Sequence, residues 1–202
     1  MGMSIEENTD YTSKVFRGVD AKDLMLMRTV FDDCSFVDCD FSGARMEDCR
    51  FRDCEFQNSN FSIVKCEKSK FIGVAFRHCK VTGVDWTTLD WSSYRLGSPL
   101  LFERSDISLS DFSSLVLREL CLRDCKAREV DFSNCDLEGA DFSRTDFQGA
   151  RFKSCRLDRC NFLGATNYVV DPLDSSIEKA QFSTPEVLTL LRCFNIEIRP
   201  GH

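Results

Sequence analysis

An apolar residue falls at every fifth position along most of this chain. Residues 31–61 read FDDCSFVDCDFSGARMEDCRFRDCEFQNSNF, which places Phe31, Phe36, Phe41, Met46, Phe51, Phe56 and Phe61 on a strict grid. A helix buries residues three and four apart and a half-buried strand every second one, so neither accounts for a period of five. The grid runs on through Cys66, Phe71, Phe76, Val81 and Trp86 to Trp91, then resumes one residue out of phase from Phe102 to Phe162. Sixteen of the 18 phenylalanines lie on it, Phe16 included, far above the one-fifth share of random placement.

A second inward position lies two residues before each grid residue and carries only small or aliphatic side chains, among them Cys34, Ala44, Ser59, Val64, Val130, Ala140 and Thr145. The other three positions of each quintet are mostly charged, polar or Gly. A chain that turns a corner every five residues satisfies this pattern, and four quintets close a square coil. Successive coils then pair through their backbones about 4.8 Å apart, and large and small inward side chains fill the narrow interior in layers. The predicted fold is an all-β solenoid. Its core is assigned to Phe36, Phe41, Phe51, Phe56, Phe71, Phe76, Phe112, Phe132, Phe142, Phe147, Phe152 and Phe162.

Twelve cysteines suggest metal or disulfides, but nine of them occupy the small inward position, no CxxC occurs, and the only histidines are His78 and His202. The pattern reads as reduced thiols packed as small hydrophobes, with no metal and no cofactor. A net charge of −7 argues against direct binding to nucleic acid or anionic lipid. The N-terminal MGMSIEENTDYTS lacks the basic and apolar regions of a secretory signal, and no apolar run has the length of a membrane span, so a cytoplasmic protein is expected. There is no glycine-rich phosphate loop and no Ser–His–carboxylate set, and a filled interior leaves no catalytic pocket, so an enzyme is not expected.

Repeats such as Cys39-Asp40-Phe41-Ser42-Gly43, Ala140-Asp141-Phe142-Ser143-Arg144 and Ala150-Arg151-Phe152-Lys153-Ser154 resemble the pentapeptide-repeat family, whose signature is A(D/N)LXX with Phe often in place of Leu. The resemblance covers residues 15–166. It implies a right-handed quadrilateral β-helix of about seven coils, about 35 Å long. Residues 1–14 are then an irregular N-terminal segment and 167–202 a C-terminal capping and dimerisation segment. The spacing from Trp91 to Phe102 is eleven residues, which reads most simply as one extra residue near 96–101 with Gly97 and Pro99 as its turn residues.

An open solenoid end needs a cap. In FSTPEVLTLLRCFNIEI, residues 182–198, Thr184 is placed as N-cap and Pro185 as the first helical residue, with Asn195 ending the helix and residues 196–198 forming a strand. The apolar face of that helix could be consumed by capping or could pair with a second copy. Relatives of this kind dimerise through such a module, so the resemblance assigns the dimer interface to Val187, Leu188, Leu191, Phe194, Ile196 and Ile198.

Outward charge is uneven. Residues 31–60 hold eight acids against three arginines, residues 61–82 are basic through Lys65, Lys68, Lys70, Arg77 and Lys80, and Asp131, Asp136, Asp141 and Asp146 share one slot in successive quintets. The layout is similar to microcin-immunity and quinolone-resistance members of the family. That implies a DNA-mimicking rod that binds a type II topoisomerase, DNA gyrase or topoisomerase IV, and protects it from a poison such as a peptide toxin, a natural product or a fluoroquinolone. A non-catalytic scaffold or adaptor with an unrelated partner is the alternative. The candidate partner-binding surface is Leu96, Gly97, Ser98, Pro99, Asp111, Asp131, Asp136 and Asp141.

Overall fold

A computed structural model of the chain describes residues 5–93 and 100–196. Three-residue strands centre on the grid residues, as in Val30–Asp32, Ser35–Val37 and Arg50–Arg52, with the middle side chain buried and its neighbours turned outward. Two residues after the grid position the backbone turns into the left-handed region, with φ between 47° and 63° wherever the residue is not Gly, except after Trp86 and Trp91, where short 3-10 turns stand instead. Asp, Asn and Gly tolerate that region better than other residues, which explains the run Asp33, Asp38, Gly43, Asp48, Asp53 and Asn58 at these corners.

Four corners make each coil four-sided, and parallel pairing fixes its register. Tyr11, Phe31, Phe51 and Phe71 stack on a first face. Phe16, Phe36, Phe56, Phe76, Phe102 and Leu122 stack on a second, which continues through Phe142 and Phe162 to Phe182. A third face carries Phe41, Phe61, Val81, Ile107, Ala127 and Phe147, and a fourth Leu26, Met46, Cys66, Trp86, Phe112, Phe132 and Phe152. The twelve phenylalanines assigned to the core are all buried. On the second face the rings from Phe16 to Phe102 stack with centroids 4.5–5.3 Å apart, while neighbours on adjoining faces meet edge to face. Both arrangements suit the quadrupoles of aromatic rings.

The small inward position also does hydrogen-bonding work. Ser105 Oγ donates to Phe76 O (3.1 Å) in the coil above and accepts from Cys79 N–H (3.0 Å). Ser59, Ser69 and Thr145 make the same bridge, to Phe36, Met46 and Leu122. Thiols of Cys135 and Cys155 donate to Phe112 O and Phe132 O at 2.9 and 3.0 Å. Each connects coils where the strand ladder leaves a buried carbonyl, and a buried polar group without a partner is costly.

Two expectations about extent and register change. The paired backbone begins at Asp10–Thr12 and continues to Gln181–Phe182, beyond the 15–166 expected at both ends. From Phe16 to Phe182 there are eight inter-coil steps rather than seven coils, or about 38 Å at the usual strand spacing. At the interruption, Phe76 pairs with Phe102, Lys80 with Asp106 and Asp85 with Asp111. Partners there lie 26 residues apart instead of 20, so the chain carries six extra residues and not one. Because one and six differ by a whole quintet, both leave the grid in the same phase.

At the C-terminal end Glu186–Phe194 forms a 3-10 helix, not an α-helix. Pro185, with a helical backbone and no side-chain bond to the helix, stands in the capping place assigned to Thr184. Asn195 does end the helix, in a left-handed conformation with its N–H donating to Arg192 O. With three residues per turn, Val187 and Leu190 align toward the last coil, where Leu190 is buried and Val187 packs on the core. Leu188, Leu191 and Phe194 align on the next line. Leu188 and Phe194 are exposed there, followed by an exposed Ile196.

Candidate partner-binding surface

Outward carboxylates fall into two populations, set by their place in the quintet. The residue just before each grid position lies on a flat face, and an Asp there turns its Oδ1 onto the backbone N–H two residues on. Asp111 accepts from Ser113 N–H at 2.8 Å, Asp131 from Ser133, Asp136 from Glu138 and Asp141 from Ser143. This clamp favours Asp or Asn in that slot.

Most of these face carboxylates are also ion-paired. Asp131 lies 3.2 Å from Arg151, Asp136 2.7 Å from Arg118 and 3.8 Å from Arg156, Asp141 3.9 Å from Arg123, and Asp146 2.8 Å from Arg128. Partial burial raises the Asp131 pKa, but hydrogen bonds from Ser133 and from Arg151 outweigh it and hold the carboxyl below its ordinary range. Asp146 balances in the same way, with Asn167 and Arg128 opposing burial.

Placement also separates the residues expected to act together. Asp111 and Asp131 are neighbours on the fourth face, whereas Asp136 lies on the first and Asp141 on the second. One slot in successive quintets makes a girdle around a coil, not a patch. Leu96, Gly97, Ser98 and Pro99 lie outside the described residues, as does Ile198.

A second population sits at the corners. Within residues 31–60, Asp32, Asp40, Glu47 and Glu55 pair with Arg52, Lys22, Lys68 and Arg77. The remaining four acids, Asp33, Asp38, Asp48 and Asp53, all occupy left-handed corners and are exposed. Asp33 accepts from Ser13 Oγ (2.8 Å), and none of the four joins an ion pair among the described residues. Asp33 and Asp53 stand one coil apart on the same edge. The sequence gives the signal for this, since these acids lie two residues after Phe31, Phe36, Met46 and Phe51.

A sequence profile described as a pentapeptide repeat region matches residues 29–112, and a profile of eight pentapeptide repeats matches 128–164. Together they span more than half of the chain. The chain belongs to the pentapeptide-repeat family. Among curated proteins none matches it in sequence. Among solved structures, full-length QnrB1, a plasmid-mediated fluoroquinolone resistance protein, is 16% identical with a TM-score of 0.54, covering 93% of this chain and all of that one. A trypsin-treated QnrB1 variant gives 0.53 at 16% identity, covering 95% of this chain and 100% of its own. At this identity the likeness concerns the fold, a β-helix whose corners and faces the pentapeptide period dictates.

No helix among the described residues is long and apolar enough to cross a membrane.

Proposed function

We propose that this pentapeptide-repeat protein is a non-catalytic rod that occupies the DNA-binding groove of a type II topoisomerase, DNA gyrase or topoisomerase IV, and protects the enzyme from a poison. The observation that carries this reading is the end-to-end correspondence with QnrB1, which spans the whole of that resistance protein. The form of the rod supports it: eight coils of nearly constant section with carboxylates on the outside. In this reading the contact falls on Asp33, Asp38, Asp48 and Asp53, which join no ion pair among the described residues, rather than on the face aspartates. Leu188, Phe194 and Ile196, with the half-buried Leu191, are then the self-docking surface that joins two rods end to end at their caps.

The ion-pairing of the face carboxylates favours a second reading, since it weakens any continuous acidic stripe. In that reading the chain is an adaptor that uses its flat faces to hold another protein.

Supercoiling and DNA-cleavage assays with purified DNA gyrase separate the two. Protein is titrated in the presence of a fluoroquinolone and, separately, of a peptide poison. Topoisomerase protection requires less cleaved DNA at concentrations that leave supercoiling intact. No change in either readout with either poison favours the adaptor.

A further inference from the structure

The middle of the rod carries a groove in which basic side chains outnumber acidic ones, on a molecule of net negative charge. Lys80 and Lys126 lie on one ladder of the third face, Lys80–Asp106–Lys126, two coils and about 10 Å apart. His78 and Arg104 occupy successive left-handed corners at the edge of that face. The four side chains are exposed and line a shallow groove of about 400 Å3.

The acids of the groove and of its ladder are already engaged. Asp106 accepts from Ser108 N–H and Oγ at 3.1 and 2.6 Å. Asp124 is held by two bonds from Arg144, at 2.5 and 2.8 Å, and Asp146 by Arg128. Asp146 neighbours Lys126 across one coil step, yet Arg128 takes that carboxylate. His78, Lys80, Arg104 and Lys126 join no ion pair among the described residues. In a chain of net charge −7, a local gathering of four such groups is the reverse of what solubility alone would distribute.

We infer that this groove is a docking site for an acidic segment of a partner protein. The charge pattern decides between anions. A nucleic acid backbone carries uniform negative charge and would lie across Asp40, Asp106 and Asp146 on the same ladder. A peptide with a few separated carboxylates can address the lysines and Arg104 and leave the aspartates facing its neutral residues. Hydroxyls on the same face extend the surface for backbone contact, with Thr82 donating to Ser62 at 3.1 Å and Ser108 one coil below.

The test uses the full chain and a fluorescein-labelled peptide of alternating Glu and Gly, read by fluorescence anisotropy at low salt. Wild type should bind it, and Lys80→Glu/Arg104→Glu should weaken binding by at least about tenfold, as truncated or reversed charge pairs do. Lys14→Glu/Arg17→Glu, an equal change in net charge at exposed sites elsewhere, should keep wild-type affinity. Lys80→Ala/Arg104→Ala should fall between, and matching thermal melts establish that all variants are folded. The inference is overturned if the control weakens binding as much as the groove variant, if the peptide does not bind, if duplex DNA displaces it more readily than unlabelled peptide, or if inorganic phosphate alone displaces it at similar concentration. No topoisomerase is present in this assay, so its failure and the failure of the topoisomerase reading are separate results.

Discussion

A serine two residues before a grid position has a heavier task than its size suggests. Ser105 is buried and ties Phe76 O and Cys79 N–H together between coils. Ser105→Ala should cost about 1–3 kcal/mol in chemical denaturation, because it strands a buried carbonyl. Ser105→Cys should cost less, since thiols make the same bridge at Cys135 and Cys155. An alanine variant as stable as the parent would remove the bridging role. Burial first of all also governs the thiols, pushing Cys54, Cys125, Cys135 and Cys160 up to about 12 and Cys79 and Cys155 to about 11. The folded protein holds these protons to higher pH than the unfolded chain does. Their contribution is therefore complete below the free-thiol value of 9.0 and is lost as pH rises toward 11–12. Denaturation midpoints should fall across that alkaline window, and should fall less steeply once the buried cysteines are replaced by serine, leaving the contribution of the buried Tyr168, which burial also pushes up to about 12. At this scale the inward grid was plain in the sequence, because burying sixteen phenylalanines leaves few arrangements. The hydrogen bonds at the small position were not, since Ala, Val, Ser and Cys share it and only the register between coils shows what the hydroxyls and thiols reach.

Among elements, the interruption and the cap carry the sharpest consequences. Six residues separate Ser93 from Leu100 beyond the ordinary 20-residue turn, with Phe76 still facing Phe102. Deleting 94–99 should therefore leave every column in register and the far-ultraviolet spectrum and cooperative melt intact. Removing a single residue inside a coil, such as Ser133 between Phe132 and Asn134, should instead shift all later coils by one position, turn their apolar residues outward and unfold them. The opposite ranking of the two deletions would refute the register. A period of five cannot distinguish one extra residue from six, which is why the sequence alone supports the shorter insertion. The cap was legible as an apolar helix ending at Asn195. Its threefold geometry was not, because Val187, Leu190, Leu191 and Phe194 satisfy an α-helical spacing equally well. With Val187 and Leu190 spent on the last coil, Leu188→Asp/Phe194→Asp should give a monomer by light scattering with little loss of thermal stability. Val187→Ala/Leu190→Ala should instead destabilise by a few kcal/mol, on the order expected for truncating packed aliphatics. Dimers that survive the aspartates would move the interface away from this cap.

Over the whole molecule, the four-sided coil sorts one chemical type into two roles. Aspartates on the faces close turns and most answer arginines a coil away, while Asp33, Asp38, Asp48 and Asp53 at the N-terminal corners stay exposed and, unlike the corner residue Asp124, join no ion pair among the described residues. Sequence periodicity makes that sorting readable, but only once slots five apart are understood to lie on different sides. Under the proposed function, the corner carboxylates of the N-terminal coils engage a topoisomerase in place of DNA. Asparagine tolerates the left-handed corner as aspartate does, so Asp33→Asn/Asp38→Asn/Asp48→Asn/Asp53→Asn removes charge without disturbing the coil. The decisive measurement is poison-stabilised DNA cleavage by gyrase with wild type and with this fourfold variant, both shown to melt alike. Wild type should lower the cleaved fraction, and the variant should leave it unchanged. Equal protection by the two proteins, or none by wild type, would contradict the proposed function.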